Sequence, residues 1–130
     1  MTHLQIAALY AAINALITLA LAINVMRARM KNKVLIGDGG NEAVLRAMRA
    51  HANNVEYVPL VLVLLTLMAL VKSSMLLLHI VGICLAVGRL FHGLGLAIES
   101  GLSIGRGVGT MLTVVALLVA VVTLLLYALR

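Results

Sequence analysis

Four long apolar segments, separated by short polar connections, set the pattern of this chain. They cover about residues 4–26, 55–71, 75–97 and 108–129. Each is close to the roughly 20 residues that an α-helix needs to cross the hydrocarbon layer of a bilayer. The first is too long for a cleavable signal peptide and lacks a basic leading region. The pattern therefore predicts an all-α integral membrane protein, with a four-transmembrane-helix bundle as a single domain over residues 1–130.

Composition supports this class, because 64% of the residues are hydrophobic, 11% are charged and the mean hydropathy is +1.18. A soluble domain needs far more polar surface. The net charge of +6 is concentrated after the first span, at Arg27, Arg29, Lys31 and Lys33. By the positive-inside rule, the first and third connections face the cytoplasm and both termini face outward. The basic cluster thus indicates orientation and contact with anionic membrane lipids, and no nucleic acid partner is expected.

The richest polar chemistry lies at the start of the second helix. At about 100° per residue, several polar side chains fall on one arc of this helix, while His51 points to a different side. The residues of the arc are Arg46, Arg49, Asn53, Glu56 and Tyr57. Guanidinium and amide donors beside one carboxylate suit a zwitterionic ligand, since arginine holds a carboxylate by a two-pronged fork. The alternative is an internally neutralised ion-pair network that only locks neighbouring helices together.

A second polar stripe lies near the end of the third helix, where Arg89, His92, Leu96 and Glu99 share an arc of about 80°. His92 is a candidate ligand contact, or else a structural partner of Glu99, and Arg89 could instead extend to the membrane interface. Arg106 opens the fourth helix, where a cation and a helix N-terminus together can stabilise an anion. A neighbouring face of the third helix consists of small residues, which let another helix approach closely. These residues are Gly82, Ala86, Gly93 and Ala97.

Other chemistries are poorly supported. Cys84 is the only cysteine and lies in the apolar middle of the third helix, which favours packing and excludes a disulfide within the chain. Asn14 and Thr113 are expected to form hydrogen bonds between helices. Pro59 removes a backbone donor from the second helix and predicts a kink there. The four histidines, His3, His51, His79 and His92, lack metal-ligand spacing. No metal site is therefore predicted.

Two overlapping motifs in the second helix resemble a known family. Arg49-Ala-His51-Ala-Asn53-Asn-Val-Glu56 is similar to the helix-two signature of the microsomal glutathione transferases, and Glu56-Tyr57-Val-Pro59 resembles the leukotriene C4 synthase branch. The family is that of the membrane-associated proteins in eicosanoid and glutathione metabolism (MAPEG). Motif spacing, four spans and short length all agree, so the resemblance covers the whole chain. Gly-Asp-Gly-Gly in the first connection resembles the small bacterial members, which implies a bacterial inner membrane.

The resemblance implies a homotrimer with glutathione, as co-substrate, bound between adjacent subunits on the cytoplasmic side. Arg49, Asn53, Glu56 and Tyr57 match the family's glutathione-contacting positions. His51 matches a contact from the other side of that helix, and Arg29 matches a basic contact at the end of helix one. Arg106 is the predicted catalytic residue, which stabilises the glutathione thiolate. The glutathione-binding set is completed from the third helix by Arg89 and His92.

The third helix departs from the family pattern. Family enzymes place tyrosines after the Arg-Leu pair, whereas here Arg89-Leu90 is followed by Phe91-His92-Gly93-Leu94-Gly95-Leu96. His92 therefore lies near one tyrosine position and Leu96 takes the other, which bears on catalysis more than on binding.

Three functions follow from these residues. The leading hypothesis is a glutathione transferase or peroxidase acting on hydrophobic electrophiles or lipid hydroperoxides that enter from the bilayer. The alternative is a non-catalytic protein that binds lipid or a small ligand in the same cleft. A proton-coupled exporter is disfavoured, because the first helix carries no carboxylate to drive exchange.

Overall fold

The computed structural model describes residues 1–98 and 103–129, and of residues 97 and 98 it describes the backbone only. Within these ranges the chain forms four helices: α1 (His3–Asn32), α2 (Glu42–Leu70), α3 (Met75–Ile98) and α4 (Ile104–Ala128). Each is long and apolar enough to cross a membrane. The predicted all-α fold with four transmembrane helices is confirmed.

Helix α1 extends beyond its apolar segment at the C-terminal end. It begins with a capping box, in which the Thr2 hydroxyl accepts from the Gln5 N–H and the Gln5 side chain accepts from the Thr2 N–H. It continues past Met26 to Asn32 and stops where Lys33 adopts φ +55°. Basic residues are good helix formers and are favoured near a helix C-terminus. The helix therefore projects roughly 9 Å beyond its apolar part.

Hydrogen bonds at the helix ends hold the first connection, and the second connection is short. Asn41 caps α2 as predicted, because its Oδ1 accepts from the N–H groups of Ala43 and Val44 at 3.0 and 3.1 Å. Its Nδ2 donates to Asn32 Oδ1 at 3.0 Å, which ties the end of α1 to the start of α2. Helices α2 and α3 are joined by only Val71–Ser74, where Lys72 adopts φ +53°. Helix α2 itself is helical throughout, including at Pro59.

The main apolar core and the buried charged side chain lie toward different ends of the bundle. The fully buried core residues come from the start of α1, the second half of α2, the first half of α3 and the second half of α4. They include Ile6, Leu65, Met68, Leu78, Leu85 and Ala116. At the other end Arg89, His92 and Thr113 are buried, beside apolar residues such as Val44 and Ala47. The main apolar core and the buried arginine therefore lie at different ends of the bundle.

Glycines set the distance between α3 and α4, which form the most extensive helix pair. A Cβ on Gly109 would lie 2.6 Å from the carbonyl oxygen of Gly88 and 2.6 Å from the backbone nitrogen of His92. The small-residue face predicted from sequence lies elsewhere, against α1, since Gly82 contacts Tyr10 and a Cβ on Gly93 would approach Leu21. The α3–α4 contact therefore depends on a different set of glycines from the predicted one.

Candidate functional site

Arg89 is the centre of the polar half of the bundle. It belongs to α3, and its side chain is 2% exposed, enclosed by the other helices. Its Nη1 donates to Asn53 Oδ1 on α2 at 2.9 Å and lies 3.4 Å from the Asn53 carbonyl oxygen. One arginine thus joins two helices, and the predicted site residues Asn53 and Arg89 are in direct contact.

The remaining partners of Arg89 are a hydroxyl and an aromatic ring. Thr113 Oγ1 on α4 accepts from Nε at 3.1 Å and from Nη2 at 2.6 Å, and donates to the Gly109 carbonyl at 2.9 Å. The guanidinium carbon lies 5.6 Å from the centre of the Tyr57 ring, within the range of a cation–π contact. Arg89 forms no ion pair with a carboxylate in the described part of the chain. Among the residues that the structure describes, the groups that stabilise its positive charge are therefore neutral.

The polar arc predicted on α2 divides in the structure. Asn53 and Tyr57 contact Arg89, whereas Arg46 pairs with Glu42 at 3.5 Å on its own helix. Arg49 and Glu56 are exposed, and neither forms an ion pair with any residue in the ranges 1–98 and 103–129. The internally neutralised network considered as an alternative thus does not form among the described residues of one chain.

His92 and Arg106 line one cavity between α3 and α4. The cavity has a volume of about 580 Å³, and its wall also includes Ser103, Thr110 and Met111. His92 is buried and packs against Gly109, and Arg106 is partly exposed in the first turn of α4, as predicted. Glu99, the alternative partner of His92, lies outside the described residues. The cavity therefore combines a cation, an imidazole and hydroxyl groups at one end of the bundle.

Two predicted site residues lie away from this region in a single chain. Arg29 donates from Nη1 to the carbonyl of Leu35 at 2.8 Å and contacts the sulfur of Met48 at 3.5 Å, so it holds the first connection against the end of α1. His51 is half-buried on α2 and has no side-chain hydrogen bond within the described ranges. The described subunit brings neither residue to Arg89 or Arg106.

Sequence reasoning missed the role of Thr113 at this site. It was expected to bond between helices, which it does, but its partner is Arg89 itself. The available signal was Gly109, one turn earlier on α4, because that glycine allows the close approach of α3. The matching expectation for Asn14 was wrong, since its Nδ2 donates to the Tyr10 carbonyl on the same helix at 2.8 Å. A partly buried hydrogen bond between α1 and α2 is formed instead by Asn54, whose Nδ2 donates to Thr18 Oγ1 at 2.8 Å.

Comparison with known proteins gives one family and one kind of relative. The model of the MAPEG family matches residues 7–126. Inner membrane protein YecN of Escherichia coli (strain K12) is 40% identical over 91 residues, which make up 70% of this chain and 70% of the relative. The protein of the same name from Escherichia coli O6:H1 matches to the same extent. No solved structure gives a significant match.

Proposed function

This chain belongs to the MAPEG family of membrane proteins, and we propose that within it the protein is a glutathione-dependent transferase or peroxidase. Its substrates are hydrophobic electrophiles or lipid hydroperoxides that reach the site from the bilayer. Glutathione is the co-substrate, and it is held by Arg49, Asn53, Glu56 and Tyr57 beside Arg89. Arg29, His51 and His92 supply further contacts.

The observation that carries this proposal is the divided arc of α2. Asn53 and Tyr57 are already fixed against Arg89, while Arg49 and Glu56 remain exposed without an ion-pair partner in the described ranges. A charged side chain at the edge of the hydrocarbon region is costly unless it pairs or faces a polar cavity. A ligand with both carboxylates and an ammonium group satisfies Arg49 and Glu56 together. Glutathione has these groups.

The second part of the proposal concerns the sulfur. Glutathione reacts as its thiolate, so the protein must stabilise a negative charge on sulfur near neutral pH. Arg106 is the cation placed to do so, at the start of α4 and on the same cavity as His92. In transfer, the thiolate forms a bond to the electrophilic carbon and the leaving group departs with its electron pair. In peroxide reduction, it attacks the terminal oxygen of the hydroperoxide, the O–O bond breaks, and the alkoxide leaves with the electron pair and takes up a proton to become the alcohol. A second glutathione then reacts with the resulting sulfenic acid to give glutathione disulfide and water.

A homotrimer completes this proposal. The glutathione site then lies between adjacent subunits, so that Arg29 and His51, which are remote from Arg89 in one chain, contribute from a neighbour. The first and third connections face the cytoplasm in this arrangement, as the charge distribution predicts. Cytoplasmic glutathione enters from that side. The related YecN is an inner membrane protein, which supports the same membrane for this chain.

The test is a titration of the purified protein with glutathione, followed by thiolate absorbance, together with turnover of a lipid hydroperoxide. We expect a thiolate signal in the parent protein and its loss in Arg106→Ala, with glutathione affinity changed by less than about threefold, since the anion and not the peptide is the partner of Arg106. Lys72→Ala, at the opposite end of the bundle, is the control. If Arg106→Ala keeps both signal and turnover, the catalytic assignment is wrong.

A second candidate function rests on Leu96. This residue takes a position where family enzymes have a tyrosine, and a leucine side chain has no hydroxyl to offer there. A non-catalytic protein that binds lipid or a small ligand in the same cleft is consistent with that loss. Glutathione binding without turnover of any electrophile or hydroperoxide favours this candidate. Turnover in the parent protein excludes it.

A further inference from the structure

A second polar cavity lies between the end of α1 and the start of α2, away from Arg89 and Arg106. It has a volume of about 330 Å³, and three cations line it: Arg27 and Lys31 from α1, and Arg46 from α2. The amide side chains of Asn24 and Asn32 also lie on its wall. Each of these groups can donate hydrogen bonds, so the cavity is built to receive an acceptor-rich anion.

The charges around this cavity do not balance. Arg27 and Lys31 are four residues apart on one helix face, a spacing at which like charges repel. Among the described residues, the carboxylate nearest in sequence to this cavity is Glu42, whose side chain is 81% exposed and pairs with Arg46 at 3.5 Å. The start of α2, with Ala43 on the cavity wall, adds the partial positive charge of a helix N-terminus. Three cations therefore face one carboxylate at the edge of the apolar segment of α1.

A mainly apolar groove lies beside this cavity, between α1 and α3. It has a volume of about 220 Å³, shares Asn24 with the basic cavity, and has Arg89 at its border. Its wall is formed on α1 by Ile17, Ala20 and Leu21, and on α3 mainly by Leu90 and Leu94. The α1 residues of the groove and of the cavity follow one another at helical spacing of three and four, so they share one face. This face is apolar at one end and cationic at the other.

We propose that this face of α1 binds an anionic phospholipid, with the phosphodiester headgroup in the basic cavity and one acyl chain in the apolar groove. Basic pockets between membrane helices are a known setting for acidic headgroups. The excess of cations over carboxylates selects a headgroup with net negative charge over a zwitterionic one. The apolar groove selects a lipid over free phosphate. The site uses other residues than the proposed glutathione site, apart from the shared border at Arg89.

The headgroup half is tested with the full chain in nanodiscs that contain phosphatidylglycerol and phosphatidylcholine in equal amounts, extracted into mild detergent for native mass spectrometry. Arg27→Gln/Lys31→Gln should lower retained phosphatidylglycerol by about tenfold or more, since each cation contributes on the order of 1 kcal/mol. Lys33→Gln/Lys72→Gln is the matched control, with the same charge change at residues that line neither the basic cavity nor the proposed glutathione site. Equal loss in both variants, or loss in neither, overturns the proposal.

The chain half is tested without changing charge. Ala20→Phe fills the apolar groove and should reduce retained phosphatidylglycerol, whereas Ala12→Phe, exposed on α1 outside the groove, should not. Glycerol phosphate and inorganic phosphate are added as competitors and should displace little lipid. If Ala20→Phe has no effect, or if either soluble phosphate competes as well as phosphatidylglycerol, the lipid assignment is wrong.

Discussion

Arg89 shows how a full positive charge is accommodated inside an apolar bundle without a described counter-ion. Its donors are shared between the Thr113 hydroxyl and the Asn53 side chain, and its face lies over the Tyr57 ring. Removing one partner from a buried charged group costs more than removing a neutral hydrogen bond, because the charge is left poorly solvated. The stability of this half of the molecule should therefore depend on residues that look unremarkable in the sequence.

Thr113→Val tests this dependence, because it replaces the hydroxyl acceptor of Arg89 by a methyl group of similar size. We expect a loss of about 1–3 kcal/mol in unfolding free energy, while Thr113→Ser should retain most of the stability. The measurement is thermal loss of helical circular dichroism in mild detergent. Thr123→Val is the matched control, since Thr123 donates only to Val119 on its own helix at 2.7 Å. Equal effects at both threonines would contradict a special role for the Arg89 contact.

Arg49 and Glu56 give the second prediction at this scale. Each is exposed in one chain, so Arg49→Ala or Glu56→Ala should leave the fold intact while weakening glutathione binding by at least about tenfold, since losing one partner of a desolvated pair costs roughly 2–5 kcal/mol. Calorimetric titration measures the affinity. Glu42→Ala removes another exposed carboxylate from α2 and is the control. Unchanged affinity in both site variants would make the arc structural.

The sequence predicts which residues carry polar chemistry better than it predicts their partners. Helical periodicity and the family motif indicated Asn53, Tyr57 and Arg89, and the structure brings these three together. The sequence did not indicate Thr113 as a partner of Arg89, because a lone threonine in an apolar helix can form hydrogen bonds of several kinds. Partner choice depends on how closely α3 and α4 approach, which is a property of the pair of helices and not of either alone.

At the scale of helices, hydropathy located every span but not every boundary. Helix α1 ends at Asn32 because a helix can leave the membrane and continue in water, so the end of an apolar segment marks the bilayer and not the helix. Helix α2 likewise begins well before its apolar part, at the Asn41 cap. Capping residues predicted the start of α2 because their hydrogen bonds are local. Helix contacts were harder to predict, since several glycines on α3 can serve equally well.

Gly109 provides the test at this scale. Gly109→Ala places a methyl group against the Gly88 carbonyl and the His92 backbone, so α3 and α4 must separate, and we expect a loss of about 1–3 kcal/mol in unfolding free energy. Gly107→Ala is the matched control, because nothing lies within 4 Å of its added methyl group. That control should be neutral or stabilising by up to about 1 kcal/mol. Comparable melting temperatures for the two variants would refute the close α3–α4 contact.

For the whole molecule, the exposed charges of α2 predict assembly. Arg49 and Glu56 are exposed in one chain near the start of the apolar part of α2, where a charge is unfavourable unless it pairs or faces a polar cavity. We expect native mass spectrometry from mild detergent to show three chains. Arg49→Ala/Glu56→Ala should show whether these charges also contribute to assembly. A predominant monomer at concentrations that support activity would contradict the shared site.

Orientation is the other prediction for the whole molecule. In a Cys84→Ala background, a cysteine at Ile36, which is 90% exposed, should react only with reagents on the cytoplasmic side. A cysteine at Ser74 in the α2–α3 turn should react only from outside. Ser74 is preferred to Ser73, which is fully buried and would shield a thiol. The opposite labelling pattern would place the proposed glutathione site on the wrong side for cytoplasmic thiols.

The turn between α2 and α3 also bears on how the chain enters the membrane during synthesis. Helix α2 has the lowest mean hydropathy of the four spans, and its polar residues make lateral release from the insertion machinery unfavourable. Only Val71–Ser74 separate it from α3, so the two segments arrive almost together and can partition as one hairpin. The more apolar α3 then draws α2 into the bilayer. A long flexible insert in this turn would separate the insertion of α2 from that of α3 and leave α2 outside the bilayer.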